Sequence, residues 1–168
     1  MATRRLVIVR HAKASHTAGT DFERPLTEVG REQSESIGKA MAKAGLKYQY
    51  ALISSAKRTR QTWKFLAGKA KPKHCLVEYH DELYGASVSD VVDLVRQLPP
   101  EVRTAIVIGH EPTIAATTAY LAGPDSNESA VAQVKVGVPT ATWSVLEADG
   151  PWAKWGRGKA KLLGVYRP

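Results

Sequence analysis

Short apolar runs alternate with stretches whose apolar residues fall at helical spacing, and this alternation limits the possible folds more than any other feature of the chain. The runs are "RLVIVR", "YALIS", "CLVEY" and "TAIVIG". Each is nearly continuous rather than alternating in polarity, as expected of strands covered on both faces. After the first, a polar loop with Gly19 and Pro25 leads to a helix over 27–44, with Thr27 as cap, Ile37, Ala40, Met41 and Ala44 at helical spacing, and Gly45 as stop. The second is followed by "SAKRTRQTWKFLAG", read as a helix capped by Ser55 and ending near Gly68. The third leads to "SVSDVVDLVRQLPP", where Ser87 and Asp90 suit a cap and a first-turn acid and the prolines end the helix. The fourth leads to "HEPTIAATTAYLAG", with Pro112 in a first turn and Gly123 as stop. A polar loop is expected over 124–130, then strands at "ATWSVLEA", "WAKWG" and "AKLLGVY", separated first by a turn at "DGP". Strand–helix alternation implies an α/β fold, a three-layer α/β/α sandwich with a mostly parallel central sheet. The tail adds an antiparallel strand or hairpin at one edge.

The 168 residues suit one domain over 1–168, with no internal repeat, low-complexity tract or linker. A composition of 43% hydrophobic and 24% charged residues excludes wholesale disorder. No apolar run is long enough to span a bilayer, and the start lacks the features of a signal peptide, so a cytoplasmic location is expected. One cysteine, Cys75, excludes an internal disulfide framework. Lys and Arg exceed Asp and Glu by 24 to 16, a net +8 that favours anionic partners. The basic stretches match no nucleic-acid-binding motif, so no nucleic acid is expected as partner. No "GxxxxGK[ST]" and no paired-histidine metal motif occurs, and neither metal nor cofactor is expected.

In open α/β sheets ligands bind beyond the carboxyl ends of the strands, so the residues that follow each strand carry the functional argument. After the first come Arg10 and His11, after the second Ser54, Ser55 and Arg58, after the third His80, Asp81 and Glu82, and after the fourth Gly109, His110 and Glu111. Two arginines and two histidines at one edge suit a phosphoryl group. Guanidinium groups bind its oxygens bidentately and helix N-termini add N–H donors. A neutral imidazole there can attack phosphorus, a protonated one can stabilise the transferring group, and a carboxylic acid can protonate a leaving group.

"VRHAKAS", "SSAKRTRQT" and "GHEPT" resemble the three signatures of the histidine phosphatase superfamily, which includes phosphoglycerate mutases and many phosphatases, and "ERPLTEVGREQ" resembles a further family stretch. The short length, "RPLT" and "DELYGAS" look most like the SixA-type phosphohistidine phosphatase branch. The resemblance covers about 4–122. It implies a phosphoglycerate mutase-like fold and makes His11 the phosphorylated residue, with Arg10, Arg58 and His110 completing the phosphate cradle. It also implies a metal-independent phosphatase acting on phosphohistidine of a phosphorylated protein, or alternatively on the phosphate ester of a small phosphorylated metabolite. A non-catalytic phosphate-binding module is the reading from another class. Ala12 stands where the family most often has glycine. For the general acid both Asp81 and Glu82 are available, and Glu82 is preferred.

Arg24 and Ser55 complete the substrate-binding candidates, although a salt bridge of Arg24 with Asp21 or Glu23 is preferred and Ser55 reads first as a helix cap. Lys57, Arg58 and Arg60 lie too close on one helix for all to enter the pocket, and the motif selects Arg58. His16, His74 and His80 are expected at the surface and Trp63 in the core, while Trp152 and Trp155 receive no function.

Overall fold

The computed structural model describes residues 2–168. Its centre is a sheet whose strands lie in the order β3 (Leu76–His80), β2 (Tyr50–Ser54), β4 (Thr104–Gly109), β1 (Thr3–Arg10), β5 (Trp143–Asp149) and β6 (Lys161–Tyr166). The four strands expected from the apolar runs are β1 (Thr3–Arg10), β2 (Tyr50–Ser54), β3 (Leu76–His80) and β4 (Thr104–Gly109). They are mutually parallel, and their register aligns their ends: Arg10 lies opposite Gly109, Ile53 opposite Ile108, and Ser54 opposite His80. The polar residues that follow each strand therefore emerge along one edge. At the other side, β5 (Trp143–Asp149) pairs antiparallel with β1, and β6 (Lys161–Tyr166) pairs antiparallel with β5.

Alternate residues of the parallel strands enter separate cores. Val7, Val9, Ala51, Ile53, Ile106 and Ile108 pack under Ile37 and Met41 of α1 (Glu28–Lys43) and Trp63 and Leu66 of α2 (Lys57–Ala70). Leu6, Ile8, Leu52 and Val107 face Val91 and Val95 of α3 (Val88–Arg96), Ile114 and Leu121 of α4 (Thr113–Leu121), and Val134 of α5 (Glu128–Val136). Burial of each such aliphatic side chain contributes about 1.5–3 kcal/mol relative to exposure, which is why the runs are apolar throughout. This is the three-layer α/β/α arrangement expected from the sequence. Among the described residues, no helix is long and apolar enough to cross a membrane.

Caps and close approaches place the helices. Thr27 accepts the Gly30 N–H at 3.0 Å, and Ser87 with Asp90 forms a reciprocal capping box. Gly30 lets the start of α1 press on the loop after β1: a Cβ there would lie 2.1 Å from the Lys13 carbonyl oxygen. Gly38 does the same between α1 and α2, where a Cβ would lie 2.2 Å from the Leu66 carbonyl oxygen.

Several sequence expectations need correction. Ser55 does not cap α2; Ala56 occupies that position without a side-chain cap, and the Ser55 hydroxyl donates to the Asp81 carboxylate instead. The helix continues past Gly68 to Ala70 and ends where Lys71 takes a left-handed conformation, φ 48°. Pro112 sits at the N-cap of α4 rather than inside its first turn. The stretch expected as a loop and strands contains α5, capped by the Asn127 side chain accepting the Ala130 N–H at 2.9 Å. Only Ala130 and Val134 of this helix are buried, too few to mark a helical stripe in sequence. "WAKWG" is a single 3-10 turn, Trp152–Lys154, rather than a strand. Trp152 donates to the Val102 carbonyl at 2.8 Å and stacks on Trp155 at 4.9 Å, which bends this stretch into the core.

Candidate active site

Arg10 ends β1 and His11 follows it, at the edge where the parallel strands finish. The His11 N–H donates to the Gly109 carbonyl at 3.1 Å, and the His11 carbonyl accepts the Ala141 N–H at 3.0 Å. The residue is thus tied to the β4 end on one side and to the approach to β5 on the other. Its imidazole is buried, 7% exposed, and Nδ1 lies 2.7 Å from the Ala12 carbonyl oxygen. A carbonyl can only accept, so Nδ1 carries the proton and the neutral ring keeps its lone pair on Nε2. Burial is the main force holding the ring neutral, reinforced by the Arg58, Arg10 and Arg24 charges, and its pKa falls from 6.5 to about 4. The Ala12 N–H donates to Thr62 Oγ1 at 3.0 Å, which fixes the turn that follows. Ala12 is fully buried in that turn.

The loop after β1 is strapped by the "RPLT" segment. The Thr27 N–H donates to the Lys13 carbonyl at 3.0 Å, Ser15 N–H donates to the Pro25 carbonyl at 2.8 Å, and Gln61 of α2 accepts the Leu26 N–H at 2.7 Å. Ahead of this strap a short turn, Asp21–Glu23, reaches Arg58. Arg58 is 7% exposed and donates to the Asp21 carbonyl at 2.7 Å and the Asp21 carboxylate at 3.1 Å. The same carboxylate accepts from Arg24 at 3.0 Å and from the Tyr84 hydroxyl. These donors hold the Asp21 carboxyl well below the usual carboxylate range, the Tyr84 hydroxyl foremost.

His110 follows β4. Its ring lies 5.4 Å from that of His11, centroid to centroid, and its Nε2 is 2.7 Å from Ser54 Oγ at the end of β2. Nδ1 is buried without a hydrogen-bond partner. Burial, then His11 and Arg58, lowers the His110 pKa to about 3, so this ring is neutral in the unliganded site. Tyr84 stands edge-on to His110 at 5.5 Å and edge-on to Phe22 at 5.0 Å, forming one wall. Arg10 donates to the Val138 carbonyl at 2.8 Å, while Glu111 accepts the Val138 N–H at 3.0 Å. The Nε atoms of Arg10 and Arg58 are both buried without partners. Two guanidinium groups, two neutral imidazoles and unused buried donors converge here, an arrangement that suits a tetrahedral oxyanion next to a nucleophilic nitrogen.

The structure brings Arg10, His11, Arg58 and His110 together, with Ser54 bonded to His110 and Arg24 reaching the group through Asp21. The acids after β3 are engaged elsewhere. Glu82 is exposed and lies 3.0 Å from the His80 ring, whose other nitrogen is 3.0 Å from Glu78. Asp81 accepts from Ser55. The two carboxylates raise the His80 pKa against the lowering effect of burial, and His80 is half-buried between them rather than a plain surface residue. Asp21, Tyr84 and Val138 were not singled out from sequence as parts of the site, and Glu111, placed there among the residues after β4, was given no role. Asp21 was visible only as a partner for Arg24, and the Val138 contribution is a main-chain oxygen that no side-chain pattern can signal.

The profile of the histidine phosphatase superfamily, branch 1, matches residues 6–90. The uncharacterised Mycobacterium tuberculosis protein Rv1276c is 32% identical over 162 residues, covering 95% of this chain and 99% of its own. The chain belongs to the histidine phosphatase superfamily, and that membership together with its similarity to SixA-type structures supports a phosphatase, a hydrolase with a phosphorylated substrate. Within the superfamily it falls in the SixA-type branch. The SixA structure from Nakamurella multipartitia superimposes with a TM-score of 0.89 at 31% identity, covering 100% of this chain and 98% of that one. The SixA structure from Agrobacterium tumefaciens gives 0.82 at 28% identity, covering 98% of each chain.

Proposed function

We propose that the protein is a metal-independent phosphatase that works through a phosphohistidine on His11, and that its substrate is phosphohistidine carried by a protein. The observation that carries this reading is the His11 tether: Nδ1–H donates to the Ala12 carbonyl at 2.7 Å, leaving Nε2 as a neutral nucleophile beside Arg10 and Arg58. In the first step Nε2 forms a bond to phosphorus and the P–N bond of the substrate breaks. Its electron pair stays on the departing imidazole, which leaves neutral if already protonated on that ring or takes a proton from solvent. Arg10, Arg58 and His110 hold the equatorial oxygens, and preorganised donors of this kind supply most of the rate enhancement in phosphoryl transfer. In the second step water attacks the phosphoenzyme, the P–Nε2 bond breaks, its electrons return to His11, and the water proton ends on the released phosphate.

An imidazole is a better leaving group than an alkoxide, so the reaction needs little help from a general acid. That fits the engagement of Glu82 with His80 and of Asp81 with Ser55. If an acid assists, Glu82 and Asp81 remain the residues after β3 to do so. The SixA-type neighbours supply the substrate class by similarity. The test ranks kcat/KM for phosphohistidine peptides against a panel of small phosphate esters, in the presence of a chelator. A phosphohistidine peptide should lead the ranking at undiminished rate. If every peptide falls below the best ester, the substrate assignment fails; if chelation stops turnover, the metal-independent mechanism fails.

A further inference from the structure

Beside the candidate active site runs an open groove of about 950 Å³ between the 17–25 loop and α2, lined among others by Phe22, Glu23, Lys57, Arg60, Lys64 and Tyr79. It is contiguous with the cradle: Lys57 adjoins Arg58, and Phe22 packs on Tyr84, which in turn packs on His110. Lys57, Arg60 and Lys64 lie three and four residues apart and so share one face of α2. All three are exposed, and among the described residues none is ion-paired, whereas Lys69 further along α2 has Glu35 at 3.8 Å. Helix stability does not account for them, since α2 has no acid in its first turn and cations near that end oppose the helix dipole. Arg60 is held over the Tyr79 ring at 4.9 Å, which fixes its guanidinium in the groove wall.

We propose that this groove holds an acidic polypeptide segment of the substrate protein, next to the phosphorylated side chain. The proposal deepens the functional reading above and rests on it, since it takes the phosphoryl group to lie between Arg10 and Arg58. From Lys57 to Lys64 the cations span roughly 10 Å along the helix axis, too far for one phosphoryl group. That length matches about three residues of extended chain at roughly 3.3 Å each. Side chains of Asp or Glu along such a segment meet the cations. Glu23 makes a peptide the better fit than a nucleic acid. A peptide brings main-chain N–H donors to that carboxylate, while a phosphodiester backbone has none and adds like charge. The aromatic rings are also poor platforms for bases, because Arg60 covers a face of Tyr79 and Phe22 packs against Tyr84.

The test separates docking from catalysis by using unphosphorylated ligands. Fluorescein-labelled decapeptides with acidic or neutral residues are titrated with the full-length protein at low salt, and binding is read by anisotropy. The acidic peptide should bind at least tenfold more tightly than the neutral one. That advantage should shrink as salt rises and disappear in K57E/R60E/K64E, whose folding is confirmed by circular dichroism and thermal melting. Equal binding of the two peptides, or an advantage that survives in the folded variant, overturns the proposal. So does tighter binding of an oligothymidylate of equal charge, which assigns the groove to nucleic acid. Because no phosphohistidine is present, the proposed reaction could fail in its own assay while the docking result stands, and the reverse is equally readable.

Discussion

Arg58 donates to Asp21 twice, to the main-chain carbonyl at 2.7 Å and to the carboxylate at 3.1 Å, so a candidate phosphate ligand is already matched to an anion of the protein. The carboxylate also holds Arg24 and Tyr84, making it the link between the 21–24 turn and the cradle. An incoming phosphoryl group and Asp21 therefore compete for the same guanidinium. Asp21→Asn keeps the size and some hydrogen bonding but removes the charge. The inhibition constant for inorganic phosphate or tungstate should fall by roughly threefold to tenfold, since about 1.4 kcal/mol corresponds to a factor of ten. A weaker affinity in the variant would show that the carboxylate holds Arg58 in place for the substrate instead of competing with it.

The loop carrying Val138 supports Arg10 from the far side. Glu111 accepts the Val138 N–H at 3.0 Å and the Ala115 N–H at 2.7 Å, and the Val138 carbonyl accepts from Arg10 at 2.8 Å. Glu111→Ala removes the acceptor for both N–H groups and leaves the loop free to shift. It should cost about 1–3 kcal/mol of stability in a denaturant titration. It should also lower kcat/KM by at least about tenfold, because small displacements of a positioned group are costly in catalysis. Activity at the parent level in a destabilised variant would separate the loop from Arg10 function.

His11 and His110 give stability a pH dependence whose sign follows from their direction of shift. Both have folded-state pKa values lowered from 6.5, to about 4 and about 3. Below pH 6.5 the unfolded chain takes up protons that the folded chain refuses, so the unfolded state gains. Their contribution is thus complete above pH 6.5 and is lost as the pH falls from there towards 4 and then 3. Urea midpoints measured over that window should decline, and H11N/H110N should show a flatter decline. Identical slopes in parent and variant would contradict the buried, neutral imidazoles.

The close approach at Gly30 is a packing prediction independent of chemistry. A Cβ would lie 2.1 Å from the Lys13 carbonyl oxygen, a backbone atom that accepts the Thr27 N–H. Gly30→Ala should destabilise the protein by about 1–3 kcal/mol, the usual cost of overpacking, despite the better helix propensity of alanine. A melting temperature equal to or above the parent's would mean that α1 can move away from the loop at no cost.

Strands β1, β2 and β4 were legible in sequence because each is buried on both faces, as the fully buried Leu6, Val7, Ile8 and Val9 of β1 show. Strand β3 lies at the sheet edge with Leu76 and Tyr79 exposed and was marked only by its short apolar run. Arg10, His11 and His110 were legible for a related reason, since polar side chains at the ends of such runs stand out, whereas Arg58, inside α2, was chosen over Lys57 and Arg60 only by the motif. What escaped was structure whose signal lies in three dimensions. Helix α5 buries too little to be marked by periodicity, and the two tryptophans of "WAKWG" read as strand although they fill a turn. Asp21 lies in a polar loop and reaches Arg58, 37 residues away in the chain. The neutral state of His110 depends on burial and on neighbouring charge, which only the packed site supplies.

The central claim concerns a single atom, Nε2 of His11. The most direct measurement mixes the protein rapidly with a phosphorylated substrate, quenches in alkali, where phosphohistidine survives, and locates the phosphoryl group by peptide mass spectrometry. The expected result is one phosphoryl group on His11, formed and lost at rates that account for turnover, and none in His11→Asn. Turnover that persists in that variant, or a phosphoryl group found on Ser54, Ser55 or His110 instead, would contradict the mechanism.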